Sequence, residues 1–343
     1  MKNINFLVGS PKYSLEPFEP FSNHVLKFLE DLSRELDQLK TIKSYPDLKA
    51  LSFWCRKNNL LKLKREYFKN TNKIGLGLIF HITPSNIPTN FIYSLIFGLL
   101  SGNSNIVKVP SKNFQQIKII CNIIKKLLKK YSTLKNKITI IRYKYDDEPT
   151  RKFSMISDAR LIWGGDKTIN TLKTFKTNER NLDITFADRY SFCVIDQSKL
   201  LKLNKFELRN LVQKFYNDTF LVDQNACSSP HLIVWTGKKH KKAKEVFWKE
   251  LYNLVKLKYN LTESAPSEKF NDLCKHIITT KNIESIKTYE NFIYKIRLRK
   301  LSKENDTYRG KWGFFFEYET KDINKIKDFI NNKYQTLTYF GVD

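Results

Sequence analysis

The chain has no apolar run that approaches the roughly 20 residues of a membrane-spanning helix. Its longest, Phe91 to Leu100, is about half that, and Met1-Lys2-Asn3-Ile4-Asn5 lacks the apolar core of a signal peptide. A cytoplasmic protein without a membrane span is therefore expected. Cysteine is scarce: 343 residues hold five, Cys55, Cys121, Cys193, Cys227 and Cys274, with no CxxC pair and no His/Cys cluster at metal-ligand spacing. Neither a disulfide framework nor a metal site is indicated, and the thiols are expected to be reduced. Internal repeats and low-complexity linkers are also missing. Acidic residues are few, 34 against 61 Lys and Arg, which leaves a net charge of +27.

So basic a chain can attract nucleic acid, anionic lipid or acidic protein. Its cations, however, are spread through Lys125-Lys126, Lys129-Lys130, residues 238–244 and residues 297–300, and no RNA- or DNA-binding motif accompanies them. Ile117 to Lys130 carries apolar residues on one side and lysines on the other, the pattern of a solvated surface helix. Nucleic acid is not the expected partner. A hydrophobic content of 41% is ordinary for a globular protein, and the length suits about two domains.

Asn23 to Leu39 and Tyr45 to Lys57 read as helices of an N-terminal region. Strands and helices then alternate: Ile74 to His81, Asn90 to Leu100, Ser104 to Val109, Asn113 to Lys130, Ile138 to Tyr143, Thr150 to Ser157, Ala159 to Trp163, Lys167 to Thr174 and Tyr190 to Ile195. That order predicts a parallel sheet covered by helices, as in dinucleotide-binding domains. The division is expected at 196/197, with residues 1–196 holding the dinucleotide-binding domain and 197–343 a second α/β unit. The active site is expected in the cleft between them.

The second unit contains Asp223-Gln224-Asn225-Ala226-Cys227-Ser228-Ser229-Pro230, between a helix-like Leu208 to Phe220 and a strand-like His231 to Trp235. A lone thiol among small and polar neighbours has room for backbone donors and a substrate, and the thiolate is the nucleophilic form. A plain buried cysteine fits this position equally well. Cys55, Cys121 and Cys193 lie among apolar residues and read as core. In the first unit, Pro84-Ser85-Asn86-Ile87-Pro88 restricts the backbone on both sides of Asn86, so its amide can be held as a donor to a developing oxyanion. Gly164-Gly165 after the strand at 159–163 reads as a tight turn into a helix.

Pro84 to Pro88, Ser101-Gly102-Asn103 and Lys108 resemble the cofactor-domain motifs of the aldehyde dehydrogenase superfamily. Within it, Trp163-Gly164-Gly165-Asp166, Asp188-Arg189-Tyr190-Ser191, Ala226-Cys227-Ser228-Ser229-Pro230 and Gln335-Thr336-Leu337-Thr338 resemble the fatty acyl-CoA reductase family, whose best-known members make aldehyde in bacterial bioluminescence. The resemblance implies an α/β, aldehyde dehydrogenase-like fold, with a Rossmann-type cofactor domain and a second α/β catalytic domain. It also implies NADPH-dependent reduction of an acyl-CoA or acyl-carrier thioester to a fatty aldehyde.

By the same resemblance, Cys227 is the acylated nucleophile and Asn86, with the Cys227 backbone N–H, forms the oxyanion hole. Lys108 contacts the adenosine ribose, and Thr83, Pro84, Ser111, Gly164 and Gly165 complete the cofactor-binding set. An acyl-protein synthetase partner and a homo-oligomer are implied as well. A basic surface would attract the phosphates of coenzyme A and NADPH or an acidic acyl carrier.

Two departures sharpen this reading. Aligned on Ser191, Phe186 stands where the aldehyde-oxidising branch has the glutamate that activates deacylating water, so a general base is missing and reduction is favoured over hydrolysis. A core-facing strand phenylalanine is the plainer account. Where many NAD-preferring relatives carry an acid after the lysine, this chain has Ser111 and Lys112, which can accept a 2′-phosphate. Relatives continue past Gly341, so a shortened version is expected. The alternatives are a non-catalytic relative acting as a binding protein through its basic surface, and a short-chain acetylating aldehyde dehydrogenase.

Overall fold

The computed structural model describes residues 4–68, 73–144, 147–238 and 240–342. Met1 to Asn3, read above for a targeting segment, and Lys239, within the basic stretch at 238–244, lie outside them. The chain divides into two units, Met1–Asp188 and Arg189–Asp343.

In the first unit, short apolar runs form β1 (Asn5–Val8), β2 (Leu78–Ile82), β3 (Ser104–Lys108), β4 (Ile138–Arg142), β5 (Ala159–Gly164) and β6 (Leu182–Ala187). They assemble in the order β1-β4-β3-β2-β5-β6. β1 runs antiparallel to β4, and the other pairings are parallel. β2 is buried along its whole length, which suits the continuous apolar run of a parallel strand covered on both faces. From β2 the chain builds outward through β3 and β4, then crosses to β5 and β6 on the other side, so the direction of winding reverses between β2 and β5.

One polar residue interrupts β2. His81 is fully buried, its Nδ1 lying 2.8 Å from Ser94 Oγ and its Nε2 2.9 Å from Asn105 Oδ1. Burial pulls its pKa down to about 4. Helix Asn90–Leu100 approaches so closely here that a Cβ at Gly98 would lie 1.9 Å from Asn105 Oδ1. The lysine-rich helix Gln115–Lys130 buries Ile117, Ile120, Ile124 and Leu127, and its Lys126 and Lys130 pair with Glu35 and Asp31 of helix Asn23–Asp37. It is the surface helix that its pattern predicts.

The second unit contains β7 (Tyr190–Asp196), β8 (Leu232–Thr236), β9 (Ile283–Tyr289), β10 (Ile293–Leu298), β11 (Phe314–Glu319) and β12 (Tyr334–Phe340), in the order β12-β7-β8-β11-β10-β9. β9 is antiparallel to β10, and the other pairings are parallel. Ile233, Trp235 and Phe315 enter one core, and Leu232, Val234, Phe314 and Phe316 another. β7, read from sequence with the first domain, pairs with β8 and β12. The division therefore falls at Asp188/Arg189, ahead of the expected 196/197.

Two parallel-rich α/β units are the expected fold class. Among the described residues no helix is long and apolar enough to cross a membrane.

Candidate active site

The cofactor candidates of the first unit gather at the carboxyl ends of β2, β3 and β5, beside the β2/β5 reversal. In open α/β sheets this is where ligands bind. Thr83 follows β2, and both its N–H (3.2 Å) and its Oγ1 (2.7 Å) donate to the carbonyl of Lys108 at the end of β3. The two loops are thus tied together. Lys108 Nζ lies 5.0 Å from the centre of the Tyr143 ring, and burial holds the amine below the usual lysine range.

Pro84 is half-buried, and Ser111 and Lys112 are exposed. Asn86 is exposed on its loop, and its Oδ1 accepts from the Ile87 N–H at 3.1 Å, which orients the amide. Gly164 ends β5, and Gly165 opens helix Asp166–Lys173 in extended conformation. No heavy atom lies within 4 Å of where a Gly165 Cβ would be. The turn is therefore open, although Asp166 in the first helical turn disfavours a phosphate there.

Phe186 is not a core residue. It is 40% exposed and stacks on its cross-strand neighbour Trp163, with ring centres 4.0 Å apart and planes 14° from parallel. The aromatic pair closes the end of the β5–β6 ladder beside Gly164.

In the second unit, Ser229 N–H donates to Ala226 O at 2.9 Å, closing a β-turn with Cys227 at its first central position. Ser191 Oγ on β7 donates to Cys227 O at 2.6 Å, and Ser229 Oγ donates to Asp218 O at 2.6 Å. Cys227 is half-buried, whereas Cys55, Cys121 and Cys193 are buried. Burial pushes those three thiols up to about 12, so they stay protonated and non-nucleophilic at neutral pH. Turn position and accessibility together single out Cys227 over them.

Sequence reasoning missed the residue that holds this turn. Asp223 and Gln224 have φ of +54° and +59°, a left-handed pair that non-glycine residues adopt only when the surroundings fix it. The buried Gln224 side chain does so. Its Nε2 donates to Pro230 O (3.0 Å) and Phe314 O (2.9 Å), and its Oε1 accepts from Gly313 N (3.2 Å) and Phe314 N (2.9 Å). One amide therefore links both ends of the cysteine loop to β11.

Lys269 supports the segments that lead into β10 and β11. Its ammonium donates to Asn291 O, Phe292 O and Trp312 O at 2.7–2.9 Å, and burial pulls it down to about 7. Left-handed glutamine carries no sequence signal, since glycine and asparagine are the usual markers of that conformation.

A family model described as acyl-CoA reductase (LuxC) matches residues 21–271. The long-chain acyl-protein thioester reductase of Vibrio harveyi is 23% identical over 172 residues, 49% of this chain. That match takes in only 34% of the relative's length.

Solved structures similar to this chain include aldehyde dehydrogenases. The Streptococcus pyogenes succinic semialdehyde dehydrogenase in complex with NADP+ has a TM-score of 0.62 at 13% identity, covering 94% of this chain and 78% of that one. The Physcomitrella patens aldehyde dehydrogenase 21, in complex with succinate, has a TM-score of 0.60 at 12% identity, covering 90% and 70%.

Proposed function

The chain belongs to the acyl-CoA reductase (LuxC) family, and from that premise we propose that it reduces a fatty acyl thioester to a fatty aldehyde through an acyl-Cys227 intermediate. The observation that carries this reading is Cys227 on a turn braced from β7 and β11 while Cys55, Cys121 and Cys193 are sealed in the cores. The Cys227 thiolate attacks the thioester carbonyl, the S–C bond to the donor breaks, and the donor leaves as a thiol. Backbone N–H groups at the turn, with the Asn86 amide carried over from the family motif, donate to the oxyanion.

NADPH, when bound, supplies the hydride that reduces the acyl group. Thr83, Pro84, Lys108, Ser111, Gly164 and Gly165 are the residues proposed to hold it. Their clustering at the strand ends beside the winding reversal fits a dinucleotide, and Ser111 with Lys112 favours the phosphorylated form. Return of the sulfur from the resulting thiohemiacetal frees the aldehyde. Phe186 on Trp163 offers water no general base, which protects the acyl-cysteine from hydrolysis. An acyl-protein synthetase partner and a homo-oligomeric state accompany the proposal by resemblance.

Replacing the nucleophile tests it. Cys227→Ala is expected to lower aldehyde formation from acyl-CoA and NADPH by about a thousandfold or more, with NADPH binding retained by fluorescence titration. Undiminished aldehyde release would overturn the mechanism.

A further inference from the structure

The second unit carries a cavity of 440 Å³ lined by Trp235, Lys241, Lys244, Lys287, Lys295 and Arg297 together with Glu245, Glu317 and Glu319. It lies by the carboxyl ends of β8, β11 and β10, with Trp235, Glu319 and Arg297 in the last residues of those strands. The cysteine loop enters β8 at the amino end. The length of that strand, roughly 16 Å at 3.3 Å per residue, therefore separates the cavity from the cysteine turn.

Two of its three acids, Glu317 and Glu319, are already engaged. Glu317 accepts from the indole N–H groups of Trp235 (2.7 Å) and Trp248 (2.8 Å) and pairs with Lys295 (3.0 Å). Glu319 accepts from Gln197 (3.0 Å) and pairs with Lys244 (2.8 Å) and Arg297 (2.7 Å). Positive charge remains in excess. Lys287 of β9 stands directly opposite Lys295 of β10 in the ladder, a cross-strand arrangement that is destabilising for like charges.

Burial holds Lys295 below the ordinary lysine range, and Lys287 and Lys244 push it the same way against Glu317. No ion-pair partner is found for Lys287 or Lys241 among the described residues. Lys241 also begins helix Lys241–Lys258, which has no side-chain cap and no acid in its first turn, so the positive end of its dipole adds to the field.

We propose that this cavity binds a small multivalent oxyanion of the phosphate class, such as the pyrophosphate group of a phosphorylated metabolite, seated between Lys287, Lys295 and Lys241. The anion supplies the counter-charge that Lys287 lacks and adds to the one Glu317 gives Lys295.

Inorganic pyrophosphate titrated into the full chain at low salt tests the proposal, followed by calorimetry and by tryptophan emission, since Trp235 lines the cavity. Saturable one-to-one binding is expected. Lys287→Glu is expected to weaken it by roughly tenfold, while raising the melting temperature, because the new carboxylate faces Lys295. The control is Lys125→Glu, an equal change of net charge on a helix of the first unit. Pyrophosphate affinity unchanged in Lys125→Glu and weakened about tenfold in Lys287→Glu supports the site. Equal weakening in both variants, or no saturable binding, would overturn it in favour of general attraction to a basic surface.

Discussion

The loop that carries Cys227 and the loop at Gly164-Gly165 stand at opposite extremes of constraint. Around Cys227 two left-handed residues are held by a buried glutamine with four hydrogen bonds, and hydroxyls of Ser191 and Ser229 tie the turn to its neighbours. Around Gly165 nothing crowds the backbone within 4 Å of a Cβ position. A group that must attack one carbonyl atom needs a fixed position, whereas a surface that receives a large flat ligand needs empty space. Stored backbone strain belongs to the first case and open volume to the second.

Substitutions separate the two kinds of loop. Asn86→Ala, on an exposed loop whose backbone is set by the flanking prolines, is expected to cost about 3 kcal/mol of transition-state stabilisation with little change in folding stability. Single-turnover reduction alongside urea unfolding checks both halves; an equal loss of stability would make Asn86 structural.

Gln224→Ala is expected to do the reverse. Removing one amide strands Pro230 O, Phe314 O and two N–H groups in the interior, a loss of about 3 kcal/mol in unfolding free energy. Alkylation of Cys227 by iodoacetamide is expected to lose its single rate as the turn samples several conformations. Gly165→Ala completes the contrast, with a stability change within about 0.5 kcal/mol but weakened NADPH binding in a fluorescence titration. If Gly165→Ala proved as destabilising as Gln224→Ala, the distinction between braced and open loops would collapse.

Acid stability gives a smaller effect per residue than Asn86→Ala or Gln224→Ala. His81 stays neutral in the native first unit until about pH 4, whereas an unfolded histidine takes up a proton near 6.5. His231 behaves likewise in the second unit, where burial and the nearby Arg309 pull it to about 3. Between 6.5 and 4 the unfolded chain binds more protons than the native one, so stability falls as pH falls, by roughly 2 kcal/mol per histidine at pH 4.5. Calorimetric melting temperatures from pH 7 to 4.5 test this, and a flat profile would contradict it.

Much of the architecture was legible because burial and periodicity agreed. Helix Asn90–Leu100 and the strands beginning at Ser104, Ile138 and Ala159 start where their apolar patterns do. β6 went unread because its outward Leu182, Ile184 and Phe186 are 38–51% exposed, so hydrophobicity there does not mark a core. Helix Lys57–Tyr67 went unread because only Leu60 is buried in a stretch rich in charge. β2 begins at Leu78 rather than Ile74, after Gly75 and Gly77.

Of the site, the cysteine turn and the strand-end loops were visible in small and restricting residues. The bracing roles of Gln224 and Ser191 and the Lys287–Lys295 pairing were not, because they arise from strand neighbours up to 90 residues apart in sequence.

Covalent capture tests the central claim most directly. The protein is incubated with a long-chain acyl-CoA, its intact mass and peptide map are read, and NADPH is then added. The account predicts one acyl group on Cys227 that disappears with stoichiometric release of the fatty aldehyde. An unmodified protein, or an adduct on any other cysteine that NADPH discharges equally well, would contradict it.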